Sequence, residues 1–131
     1  KLEEFSKQKF NKKDQGNIIN VIDQRVFNLT PFFFSYTLSK VALYNLTITS
    51  AMRLAPDIRV NCIAPSLTNS KISNFLLKNE KVAEGIAKMH PMKRIGEGGD
   101  SASVAKFLLT DESSWITGQI LGVDGGRSSV A

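Results

Sequence analysis

Gly16-Asn17-Ile18-Ile19-Asn20-Val21-Ile22-Asp23 is the stretch on which the fold turns. Its centre is short, β-branched and apolar, and Asp23 punctuates its end, so residues 17–22 read as a buried strand. Residues 24–33 form a loop that holds Pro31 and leads into the run Phe32-Phe33-Phe34. From Ser35 to Leu54 neither Pro nor Gly intervenes, which predicts a helix of about five turns. Its apolar residues (Leu38, Val41, Leu43, Leu46, Ile48, Ala51 and Met52) lie nearly all round the axis. A helix without a polar face is expected to be buried, in the domain or in a subunit contact. Pro56-Asp57 ends it, and residues 58–64 read as a second strand. Helical character returns over 72–88 and 101–109, separated by Pro91 and the glycines at 96, 98 and 99. Residues 119–123 are a third strand, stopped by Asp124-Gly125-Gly126. Upstream, residues 1–13 read as the end of a helix, closed by Asp14-Gln15-Gly16. Strands alternating with helices predict an α/β domain of parallel units, with helices on both faces of a thin, three-stranded sheet.

The 131 residues are 42% hydrophobic and 22% charged, which is ample for a core. Seventeen basic against twelve acidic side chains give a formal charge of +5. The lysines are dispersed and the aromatics lie elsewhere, so no nucleic-acid surface is expected, whereas a small anionic partner fits. One cysteine, Cys62, and one histidine, His90, exclude an internal disulfide framework and a Cys- or His-cluster metal site. No apolar run approaches the ~20 residues that cross a bilayer. The charged start lacks a secretory apolar stretch, and the expected setting is cytoplasmic.

Chemistry is concentrated in Tyr36-Thr37-Leu38-Ser39-Lys40. Positions i and i+4 share a helix face, so the phenol and the ammonium can enter one pocket. A nearby cation favours phenolate, which suits the pair to trading a proton with a substrate. Taken alone, the spacing is also that of an ordinary surface pair. Asp23 closes the first strand thirteen positions earlier, where a loop can return it over the helix start, or where it serves as a strand-end cap. Pro65-Ser66-Leu67-Thr68 follows the second strand on the same rim. The carboxyl ends of parallel strands are where open α/β sheets bind ligands.

The stretches GNIINVID, YTLSK, LAPDIRVNCIAPS, PMKRIGEGGDSA and ITGQILGVDGG, in this order and spacing, resemble the short-chain dehydrogenase/reductase family over essentially the whole chain. The resemblance implies a Rossmann-type domain that moves a hydride between NAD(P)H and a carbonyl or imine. It implies Tyr36 as proton donor, and Lys40 as the residue that bonds the nicotinamide ribose and lowers the tyrosine pKa. It also implies a loop at Pro65, Ser66, Thr68 and Ser70 that grips the nicotinamide. Where most of the family has serine, this sequence has Asp23, similar to the pteridine- and dihydromonapterin/dihydrofolate-reducing branch. Ser66 in Ala64-Pro65-Ser66-Leu67 and the ending Asp124-Gly125-Gly126-Arg127 are similar to the same branch. The resemblance thus implies an NADPH-dependent reductase of a pterin-like small molecule, homo-oligomeric as a dimer or tetramer. A carboxylate at 23 can accept a pterin's N–H groups or pass a proton through Tyr36. Phe32, Phe33 and Phe34 offer an aromatic wall, with core packing as the favoured alternative.

The family's glycine-rich TGxxxGxG loop does not occur in the sequence, and Gly96-Glu97-Gly98-Gly99 follows no strand. The chain therefore resembles the C-terminal catalytic half of a Rossmann-type doubly wound domain without its nucleotide-binding half. On that expectation its first strand is an exposed edge, and the 131-residue piece by itself is inactive while its parent is active. Two other classes stay open. One is a general carbonyl reductase, such as a 3-oxoacyl-carrier-protein reductase. The other is a non-catalytic chain that only joins other subunits through residues 35–54. Cys62 reads as core, His90 as a loop residue outside the site, and Trp115 as packed before the last strand.

Overall fold

The computed structural model describes residues 15–130; the helix expected over 1–13 lies outside them. In chain order the elements are β1 (Gly16–Val21), α1 (Phe34–Leu54), β2 (Ile58–Pro65), α2 (Asn74–Leu77), α3 (Glu80–Lys88), α4 (Gly98–Leu109) and β3 (Ile120–Val123). Single 3-10 turns occupy Gln24–Val26 and Asp111–Ser113. The strands pair in the order β1-β2-β3, all parallel, with Ile18 opposite Val60 and Cys62 opposite Ile120. Three parallel strands with helical crossovers are the expected Rossmann-type arrangement.

Side chains alternate across a strand, and β2 uses its two faces differently. Ile58, Val60, Cys62 and Ala64 lie on one face. The first two cluster with Ala51 and Leu54 of α1 and with Ile18, and the last two with Ile22, Leu43, Tyr44 and Ile120. Ile58 and Val60 are 0% and 1% exposed, and burying each such side chain contributes about 1.5–3 kcal/mol. Arg59 and Asn61 lie on the other face and are buried as well. Arg59 donates to Leu108 O and Thr110 O at the end of α4, and Asn61 Nδ2 donates to Ile116 O. Helices therefore cover both faces of the sheet. Cys62 is in the core as expected.

α1 covers the sheet with a narrow face and is not buried all round. Leu38, Leu46 and Met52 are exposed and share the outward side with Ala42, Asn45 and Thr49. The helix expected over 72–88 is broken at Asn79, whose backbone is extended and whose side chain accepts the Val82 N–H to start α3. α4 begins at Gly98 because the Glu97 N–H donates to Asp100 Oδ2 at 2.7 Å, an acidic group placed at a helix N-terminus. Trp115 is 98% exposed, against expectation. The segment beside it is latched to β2 by Gly118 N–H to Val60 O (2.7 Å) and Val60 N–H to Thr117 Oγ1 (3.0 Å), and this turns the indole outward.

Candidate active site

Asp23 follows the last rung of the β1–β2 ladder, where the Ile22 N–H donates to Ile63 O. Its backbone stays extended, and Oδ1 accepts the Arg25 N–H at 2.8 Å, capping the 3-10 turn. It is thus the strand-end cap that its position suggested, and the cap leaves Oδ2 available. The chain loops back through Phe33, which enters α1 with a left-handed φ of 63°. The first turn of α1 then carries Tyr36 over the end of β1, where its Oη donates to Asp23 Oδ2 at 2.8 Å. One turn further on, Lys40 Nζ donates to Val21 O at 3.1 Å and stands 5.6 Å from the Tyr36 ring centroid. Asp23, Tyr36 and Lys40 therefore meet at the carboxyl end of β1.

The electrostatics differ from the expected lowering of the tyrosine pKa by Lys40. Burial first, and then the hydrogen bond and negative charge of Asp23, push the Tyr36 phenol up from 10.0 to about 12, and the Arg25 cation opposes them. The ammonium of Lys40 is turned to the Val21 carbonyl, and the charged group that bonds the phenol is the Asp23 carboxylate. The phenol is consequently held as a protonated donor at neutral pH.

On the neighbouring strand, Pro65 ends β2 and the loop from Ser66 to Ser70 follows. Thr68 bridges to Gly96, and its Oγ1 donates to Ser66 O at 3.0 Å. The Ser70 Oγ lies 3.1 Å from Ser73 Oγ, and the Ser73 hydroxyl donates to Thr68 O. These hydroxyls shape the loop from within. Ser66 is buried and meets His90, and they help line a cavity of about 320 Å³ with Arg94, Asp124 and Gly125 at the ends of β2 and β3.

His90 lies in the bend after α3, a loop residue as expected, yet it is buried beside the cavity. It is 2% exposed, with Nδ1 2.8 Å from Ile86 O and Nε2 2.8 Å from Ser66 Oγ. A ring nitrogen facing a carbonyl must donate, so Nε2 is left to accept the Ser66 hydroxyl proton. The following Pro91 disguised this residue in the sequence, because its partner is 24 positions away. Phe32, Phe33 and Phe34 are 71%, 62% and 77% exposed, so the core-packing alternative fails and an aromatic surface stands beside Tyr36. Among the described residues no cluster of His, Cys, Asp or Glu could hold a metal, and no helix is long and apolar enough to cross a membrane.

A family model described as enoyl-(acyl carrier protein) reductase matches residues 4–128. Dehydrogenase/reductase SDR family member 4 of Homo sapiens is 37% identical over 119 residues, which cover 90% of this chain and 43% of that protein. Two solved structures are similar. FolM alternative dihydrofolate reductase 1 from Brucella canis, complexed with NADP, is 39% identical with a TM-score of 0.77, covering 96% of this chain and 47% of that one. A gluconate 5-dehydrogenase from Burkholderia cenocepacia, in complex with NADP and tartrate, is 27% identical with a TM-score of 0.83, covering 89% and 46%. The chain thus spans less than half the length of these relatives.

Proposed function

The chain belongs to the short-chain dehydrogenase/reductase family, and from that premise we propose that it carries the proton-donating site of an NADPH-dependent reductase of pteridine-like substrates. The observation that carries this is the 2.8 Å bond from Tyr36 Oη to a carboxylate at position 23. Serine there could donate to a substrate carbonyl, whereas an ionised carboxylate only accepts, which suits it to the N–H groups that edge a pterin. The NADP bound to both solved relatives supports the choice of cofactor.

The residues fit the sugar end of a nicotinamide nucleotide at Lys40. One of its three N–H donors is spent on Val21 O, and two are left for ribose hydroxyls. The hydroxyls of Ser66, Thr68 and Ser70 are engaged within the chain, so for the loop to hold the carboxamide with them, those bonds must be exchanged. Nicotinamide, when bound, supplies the hydride. Tyr36 gives its Oη proton to the substrate nitrogen beside the reduced carbon. Asp23 orients both the phenol and the substrate edge. The cation of Lys40, 5.6 Å from the Tyr36 ring centroid, offsets the phenolate left behind, and solvent restores the proton at this exposed site. We place the enzyme in the cytoplasm as a homo-oligomer, with the outward apolar side of α1 as the contact.

The test measures NADPH oxidation by the entire native protein with 7,8-dihydropteridines and with an acetoacetyl thioester. Faster turnover of the dihydropteridine is expected. Turnover of the thioester alone would mark a general carbonyl reductase, and NADPH oxidation with neither would overturn the proposal.

A further inference from the structure

Arg25 stands at the edge of this site with its fork of donors unspent. Its backbone is fixed by the 2.8 Å bond to Asp23 Oδ1. Its guanidinium carbon lies 4.6 Å from the centroid of the Phe33 ring, a stacking distance. Phe33 is in turn held by its left-handed backbone at the start of α1, three residues before Tyr36. The guanidinium thus rests against the Phe33 ring, on a backbone fixed at Asp23. Other arginines in the chain spend their donors: Arg94 grips Asp100 with two bonds, and Arg59 makes five within the fold. Among the described residues the Arg25 guanidinium has no carboxylate partner and no side-chain hydrogen bond. Asp23, the nearby acid, accepts from the Arg25 backbone N–H and from Tyr36 and makes no bond to the guanidinium.

A planar five-donor fork matches a carboxylate bidentately, and weak hydration makes a stacked guanidinium well suited to a rim where a ligand displaces water. The exposed Phe32 and Phe34 beside it offer faces for a flat ring. We propose that Arg25 is a specificity residue that takes the carboxylate of a substrate whose planar ring lies at Tyr36, so that ring substrates bearing a carboxylate are favoured over uncharged ones. This rests on the reductase proposal for the same site and narrows its substrate class.

Calorimetric binding to the entire native protein, with NADP present, tests it using folic acid as the carboxylate-bearing probe and 6-hydroxymethylpterin as the uncharged one. The wild type is expected to bind folic acid at least about tenfold more tightly, the size of a charge-assisted pair. Arg25→Gln is expected to erase that preference and to change hydroxymethylpterin binding less than about twofold. Arg25→Lys keeps the charge without the fork and should fall between. Raising the salt should weaken folic acid binding in the wild type and, to a smaller extent, in Arg25→Lys, but not in Arg25→Gln. A wild type without preference, including one that binds neither probe, overturns the proposal, as does a variant that weakens both probes equally. If Arg25→Gln does not fold, Arg25→Lys and the salt response decide. Failure of the reductase proposal is distinguishable: the dihydro forms would not oxidise NADPH, while the binding preference would persist.

Discussion

The two ends of β2 serve opposite purposes. At the amino end Arg59 is 5% exposed, and its guanidinium donates to Gln15 Oε1, Ser113 Oγ, Leu108 O, Thr110 O and Ile116 O. Burial lowers its pKa, with the charge of Asp111 acting in the opposite direction. The donors therefore end on neutral oxygens of the chain, and they stitch the end of α4 to the sheet. At the carboxyl end the loop after β2 faces the rim where Asp23, Tyr36 and Lys40 converge. There the phenol and the phenylalanines are exposed and Arg25 is unpaired. The buried, fully engaged guanidinium at one end holds the structure, and the exposed phenol, phenylalanines and unpaired guanidinium at the other are available to a ligand.

Two substitutions separate these roles. Tyr36→Phe should reduce turnover by about 10²- to 10⁴-fold, the span typical of losing a positioned proton donor. Its unfolding free energy should move by less than about 1 kcal/mol, since one exposed hydrogen bond is lost. Steady-state kinetics and urea denaturation on the same preparation check both. A large stability loss would place the phenol with the scaffold instead. Arg59→Met should do the reverse. It removes five hydrogen bonds, at about 0.5–1.5 kcal/mol each, while the carbonyls of Leu108, Thr110 and Ile116 keep second donors in Asn17, Ser113 and Asn61. The lowered urea midpoint should precede any change in turnover of the protein that remains folded.

The smallest effect is expected at the exposed Arg94–Asp100 pair, with N–O distances of 2.7 and 2.8 Å. Arg94, through its hydrogen bond, and the Glu97 N–H hold the Asp100 carboxyl down at about 2. A depressed acid contributes stability above its ordinary value of 3.8 and loses it as pH falls through about 2. Arg94→Gln should lower Tm slightly at neutral pH, and added salt should shrink the difference. A Tm difference that salt leaves intact would mean that Arg94 acts through packing.

The strand–helix–strand order was legible because apolar runs and breakers are local signals. Tyr36, Lys40 and Asp23 were legible as a group because one turn of helix and one loop bring them together. Ser66–His90 was not, because a polar pair formed across 24 positions leaves no periodic trace. The exposure of Phe32 to Phe34 and of Trp115 also escaped, since aromatics are ordinarily buried and only the path of the backbone decides otherwise. The direction of the tyrosine shift was missed for a related reason. Spacing shows that Lys40 and Tyr36 share a face, but it cannot show that the ammonium turns to Val21 O while the carboxylate takes the phenol.

That carboxylate–phenol bond is the centre of the account, and ultraviolet titration of the phenol in a Tyr44→Phe background measures it directly. Within the 131-residue sequence Tyr36 is then the remaining tyrosine, and it should titrate near 12 rather than 10.0. Because the folded chain holds this proton more tightly than the unfolded chain, the associated stability is complete below pH 10.0 and is lost as pH rises toward 12. Asp23→Asn should return the midpoint toward the ordinary value. A wild-type midpoint at 10.0 or below, unmoved by that substitution, would contradict the account.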